Sequence, residues 1–218
     1  MPNGTIFFNM TEHHLSYYKD QIRSTAKNLQ REIMIRNGIE VNPTRGDQIK
    51  PIPVFESSCC SLLKFTNEMY PTETVWMGRG TSTDFLHAYI IKYVKDSRKS
   101  ARIVVTENEN YCLARFFAAK ELMHCHIAEN GLPASTKTAH EANELLNSLA
   151  LGISFDNQTM VDEVAWLGAA EFLIPETWIS FLKVILSRIR TNFPQHDAFL
   201  HLAQLLRVPA ALVAYKLK

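Results

Sequence analysis

The 218-residue chain has no Cys-x-x-Cys spacing, no excess of charge of either sign and no long apolar run. Each absence removes a class of function. Cys59, Cys60, Cys112 and Cys125 lack the spacing of a zinc knuckle, and adjacent cysteines do not easily bridge each other, so the four read as reduced, partly buried thiols. Twenty-three basic against twenty-two acidic side chains leave a balance that calls for neither nucleic acid nor an anionic membrane. No apolar run approaches the ~20 residues of a membrane span, and the first residues show no basic stretch followed by an apolar core and a cleavage site. Gly78-x-Gly80 is followed by no third glycine and no Gly-Lys-Ser/Thr, so it is not a phosphate loop. The chain reads as a cytosolic, globular protein. Its 46% hydrophobic content suffices for one domain with a sizeable core, or one domain with an added arm.

From Thr11 to about Arg36, Tyr18, Ile22, Ala26, Leu29 and Ile33 recur at three and four, with polar residues between them. This spacing predicts an amphipathic helix with Thr11 as N-cap and Asn37-Gly38 as stop. His13 and His14 in its first turn read as exposed histidines. Pro43, Gly46, Pro51 and Pro53 then mark a linker, giving residues 1–53 as a helical arm with linker and residues 54–218 as the main domain. Within the latter the expected order is a short helix over Ser57–Glu68, a strand over Thr74–Met77, a turn at Gly78-Arg79-Gly80, a helix over about Asp84–Val94 and a β-branched strand over Arg102–Thr106. A helix around Leu113 follows, stopping at Asn130-Gly131, and a surface helix over Thr138–Leu151. In that last helix His140-Glu141 finds no histidine at Glu144 and is no zinc motif.

The chemistry concentrates in Lys120-Glu121-Leu122-Met123-His124. In an H-E-x-x-H helix, two imidazoles at i and i+4 share one face and clamp a metal, while the glutamate deprotonates the metal-bound water. Here Glu121 and His124 stand in place, and a lysine replaces the first histidine. His126 points some 200° from His124 on a regular helix, so the two cannot chelate one ion; it reads as structural. Downstream, Asp162 and Glu163 are adjacent acids, with Asp162, Ala165, Ala169 and Phe172 on one helical face. Taken alone, the two acids fit a first turn stabilised by the helix dipole.

The residues around these positions resemble the ImmA/IrrE family of metallopeptidase-like domains. Arg115, Phe116 and Ala119 occupy that family's places ahead of H-E-x-x-H. Asp162 to Pro175 looks like its E-x-x-A-x-x-F-A-x-x-L-L-M-P helix, with Gly168 where the family has phenylalanine. Leu202 to Leu217 is similar to its closing helix, Val-Pro turn and helix. The resemblance spans roughly residues 100 to 217. It implies an α+β, predominantly helical, zincin-like fold of gluzincin type with a small sheet beside the active-site helix. It also implies Glu121 as the water-activating base and His124 and Asp162, or its neighbour Glu163, as metal ligands, in proteins that cut or otherwise relieve helix-turn-helix repressors in prophage or stress responses. The missing phenylalanine side chain at Gly168 implies close packing or a local irregularity there.

Lys120 bears on all of this. An ammonium about 5 Å from a divalent cation, at an effective dielectric near 20, is repelled by roughly 7 kcal/mol, against about 10–16 kcal/mol for complete structural zinc sites. The simplest arrangement has the ammonium standing in for the metal, paired with Asp162 or Glu163 and with Glu121, so that zinc binds weakly or not at all. Glu121-x-x-His124 is also an i, i+3 ligand pair of the kind used in carboxylate metal sites, an arrangement that leaves no general base. Three functions compete: a regulatory protein that binds a protein partner such as a helix-turn-helix repressor, a metal-dependent endopeptidase, and a DNA-binding protein using the helix-turn-helix-like segment. The last is disfavoured, because Ala210, Ala211, Leu212, Val213 and Ala214 offer nothing to read base edges.

Overall fold

A computed structural model describes residues 12–56, 58, 60–69, 72–77, 88–95, 98–106, 110–127 and 157–218. Among these the chain is predominantly helical. The described helices are α1 (Glu12–Arg36), α2 (Leu62–Met69), α3 (Tyr111–His124), α4 (Asn157–Leu173), α5 (Ile179–Asn192), α6 (Ala198–Leu206) and α7 (Ala210–Leu217). Short 3-10 turns occupy Gly46–Gln48 and Glu176–Trp178. The strands β1 (Thr72–Met77), β2 (Ala88–Lys95) and β3 (Arg98–Thr106) form a sheet in the order β1-β3-β2, with β1 parallel and β2 antiparallel to β3.

The first helix ends where the sequence predicts. Gly38 adopts a left-handed φ of 61°, and the amide of Ile39 returns to the carbonyl of Met34 at 2.8 Å, which closes the helix end. Ile22, Ala26, Leu29 and Ile33 are buried, and α1 lies along α4. Buried Gln30 donates to the carbonyls of Glu171 and Phe172, 2.6 Å each, and so satisfies orphan acceptors in the last turn of α4. The helix is therefore no detached arm; its apolar face belongs to the same core as the other described helices and the sheet. The proline-rich stretch after it is likewise held down. Ile49, Ile52 and Val54 are buried, and the Trp178 indole donates to the carbonyl of Glu40 at 3.1 Å.

Three expectations are corrected. Residues 88–94, expected at the end of a helix over Asp84–Val94, form strand β2; the β-branched and aromatic run suits a pleated edge, and pairing from Ala88↔Val105 to Lys95↔Arg98 decides the matter. The helix expected over Ser57–Glu68 starts at Leu62, because the Ser61 hydroxyl accepts from the amide of Lys64. Helix α3 ends at His124 rather than at Asn130, with the Cys125 and His126 amides turned back to the carbonyls of Leu122 and Met123. Thr11, the turn at residues 78–80, the stop at Asn130-Gly131 and the Thr138–Leu151 helix lie outside the described residues.

Arg115 ties these layers together. Its side chain is fully buried, with Nε donating to Glu56 Oε1 at 2.7 Å. The remaining nitrogens donate to the carbonyls of Leu206, Arg207 and Ile52. One guanidinium thus joins α3, the segment before α2 and the end of α6, where Arg207 is left-handed at φ 54°. Burial pushes the Glu56 carboxyl up, but Arg115 together with the hydrogen bonds from Tyr111 and from backbone amides holds that group below its ordinary range.

Candidate functional site

Helices α3 and α4 pack against each other with β2 and β3 beside α3. The N-terminus of α3 is fixed by Asn110, whose side chain accepts from the Leu113 amide at 3.0 Å. At the crossing stands Gly168. A β-carbon there would lie 2.6 Å from Cγ1 of Ile22 and 3.1 Å from Cγ of Met123, so side chains of α1 and α3 fill the space that a side chain at this position would need. The close packing expected at Gly168 is what the structure contains. Phe116 of α3 meets Trp166 of α4 edge-on at 6.0 Å between centroids, and Trp166 meets Tyr215 of α7 at 4.7 Å.

This packing brings Lys120, Glu121, His124 and Asp162 into one buried cluster. Lys120 Nζ lies 3.1 Å from Asp162 Oδ1 and 3.2 Å from Glu121 Oε1. His124 Nε2 lies 2.9 Å from the same Asp162 oxygen and 3.9 Å from Glu121 Oε2. Only Lys120 reaches solvent, with 12% of its side chain exposed against 1% or less for the other three. Glu121 Oε2 and Asp162 Oδ2 are buried without hydrogen-bond partners. Glu163 is not part of the cluster; it turns to the surface and pairs with Lys19 of α1. Of the two adjacent acids, the structure places Asp162 at the site.

The charges settle one another. Burial pushes the Asp162 carboxyl up, but the hydrogen bond from His124 and the Lys120 ammonium together hold it well below the usual carboxylate range. Burial favours a neutral Lys120, but Glu121 and Asp162 outweigh that effect and hold its ammonium above the ordinary lysine value. At neutral pH Lys120 is therefore a cation, with no lone pair to offer a metal or a substrate carbonyl. A carboxylate only accepts, so His124 directs an Nε2–H at Asp162, and a nitrogen that carries a proton offers no lone pair to an ion. As arranged, these side chains do not fit a zinc ion: a tethered ammonium stands between the two carboxylates that would face the metal. Among the described residues no group of three or more His, Cys, Asp or Glu side chains is disposed to hold a metal.

The other candidate positions sort out by geometry. His126 is turned away from the cluster, with Nε2 3.0 Å from the Thr66 hydroxyl, and burial lowers its pKa to about 4. Helices α6 and α7 meet at 107° around Arg207 and Pro209, which resembles a helix-turn-helix bend. Leu212, Val213 and Leu217 of α7 face the core, Lys216 pairs with Glu171 at 2.8 Å, and the exposed positions of the helix are Ala211 and Tyr215. Of these two exposed side chains only Tyr215 carries a hydrogen-bonding group. Sequence reasoning missed the partner of Arg115, since Glu56 stands 59 positions away and no local pattern links them. It also missed Ile22 as the residue that fills the gap at Gly168. No protein-family model matches the chain, and no relative was found among curated proteins.

Proposed function

We propose that the chain is a regulatory protein on an ImmA/IrrE-like, zincin-type scaffold, which acts on a protein partner such as a helix-turn-helix repressor in the cytoplasm and uses Lys120 in place of a metal. The observation that carries this reading is the position of the Lys120 ammonium, 3.1 and 3.2 Å from the carboxylates of Asp162 and Glu121. Those carboxylates, with His124, are the groups that a zinc peptidase of this kind would direct at its metal and its water. Neutralised from within, they need no ion to stay buried. The supporting frame is a sheet beside α3, an acid on α4 opposite His124, and two closing helices around a Val-Pro turn. With the ammonium in the metal's place, Glu121 has no metal-bound water to deprotonate, and the scaffold binds its partner.

One feature keeps a second reading alive. Glu121 Oε2 and Asp162 Oδ2 are buried acceptors with no partner, and a metal-dependent endopeptidase with Glu121 as base and His124 and Asp162 as ligands would use them. That reading requires Lys120 to leave the cluster. Co-purification with a helix-turn-helix repressor encoded beside the gene, with and without EDTA, separates the two. The first reading predicts a complex of intact repressor, unchanged by EDTA; cleavage that EDTA abolishes and zinc restores would replace it with the second.

A further inference from the structure

Helix α5 leaves one face only partly covered, with Phe181, Ile185 and Ile189 half-buried against the core and Phe193 exposed. Phe181, Ile185 and Ile189, then Phe193 immediately beyond the helix, recur every four residues and make an apolar ridge. At 1.5 Å per residue the ridge runs about 18 Å, the length of about three turns of a docked helix. The turn at Thr44–Asp47 forms one wall and His201 with Leu205 of α6 the other, enclosing an open groove of about 660 Å³. Phe193 is 53% exposed and Leu205 37%, so apolar surface here remains in water after the chain has folded.

The charged lining of the groove is Arg45, Asp47 and Arg188, a net positive balance. Helix α5 carries Lys183, Arg188 and Arg190 and no acid. The one acid among the lining residues, Asp47, is paired with Arg45 at 2.8 Å, and Arg190 lies over the Phe199 ring at 5.0 Å. Arg188 lines the groove with no ion-pair partner among the described residues. A helix laid on such a ridge needs apolar anchors at i, i+4 and i+7, and beside them carboxylates to meet the guanidinium. We infer that this groove docks an acidic amphipathic helix of a protein partner. Nucleic acid fits it poorly, because one uncompensated guanidinium beside an apolar floor cannot follow a phosphate backbone. Two copies of the chain joined symmetrically through this face would bring like charges together. The groove shares no residue with the Lys120 cluster, and the inference stands if the reading of that cluster fails.

The test uses the full chain and two labelled synthetic 15-residue helices with identical leucine anchors, one with glutamates and the other with lysines on the flanks. Fluorescence anisotropy should show saturable binding of the glutamate helix, at least about tenfold tighter than the lysine helix, weakening as salt rises. Arg188→Glu, a change at an exposed position, should reverse that preference, and Phe193→Ser should weaken both helices. Hydrogen exchange should place the protection at residues 181–193. Equal binding of the two helices, no binding of either, an unchanged preference in Arg188→Glu, protection elsewhere, displacement of the helix by duplex DNA, or dimers of the chain that occlude the groove would each overturn the inference.

Discussion

Replacing Lys120 by methionine removes the cluster's ammonium and keeps most of the aliphatic stem, so packing is nearly conserved while the charge balance is not. Asp162 and Glu121, 0% and 1% exposed at the side chain, are then left facing each other with only His124 between them. Breaking a buried ion pair by removing one partner costs about 3–5 kcal/mol. His124 still bonds Asp162, and Lys120 itself is 12% exposed, so the loss falls somewhat short of that range, at about 2–4 kcal/mol. For a chain of this size that is a fall in Tm of about 5–15 °C. The assay is urea unfolding at neutral pH, with Asp162→Asn added in a double-mutant cycle. Removing the stranded charge should recover part of the loss and give a coupling of about 1–3 kcal/mol. A loss under about 0.5 kcal/mol with no coupling would refute the reasoning and make Lys120 an ordinary solvated helix residue.

Lys120→His should restore the imidazole pair at i and i+4 opposite Asp162, so the variant should take up zinc and melt higher with it, by about 2.7 kcal/mol at a hundredfold excess over Kd, whereas the parent chain should not. Gly168→Ala gains about 1 kcal/mol of helix propensity but drives a β-carbon to 2.6 Å from Ile22, an overpacking cost of about 1–3 kcal/mol, and so should destabilise by about 1 kcal/mol. In an Ile22→Ala background the same change should stabilise; equal effects in both backgrounds would show that Ile22 does not occupy that space. His126 is largely buried and neutral, with its pKa lowered to about 4, so its contribution is complete above the ordinary value of 6.5 and is lost as pH falls toward 4, by about 3 kcal/mol. His126→Gln should flatten that part of the stability profile, and an identical acid limb in the variant would remove the assignment.

What could be read from the sequence follows from how local the cause was. Helix α1, its core stripe and its glycine stop depend on residues a turn apart, and its described extent, Glu12–Arg36, agrees with its spacing. The spacing of Lys120, Glu121 and His124 put them on one side of α3, and they do converge. Strand β2 was misread because only its pairing with β3 distinguishes a short apolar run from a helix. The overlong α3 had a similar origin: Ile127 continues the apolar stripe, but the chain leaves the helix at Cys125 and His126 turns to Thr66. Asp162 and Glu163 stand about 100° apart on a helix, so the choice between them depends on the rotation of α4. That rotation is fixed by contacts far away in sequence, among them Ile22 against Gly168 and Lys19 with Glu163. The same non-locality hid the Arg115–Glu56 pair.

The central claim, that an ammonium does the work of a metal in this cluster, is tested most directly by elemental analysis of the chain purified without chelator and dialysed against metal-free buffer. The account predicts well under one zinc, or any other divalent metal, per chain, in protein that is fully folded. Stoichiometric metal retained through dialysis, and lost on Asp162→Asn or His124→Gln, would contradict it.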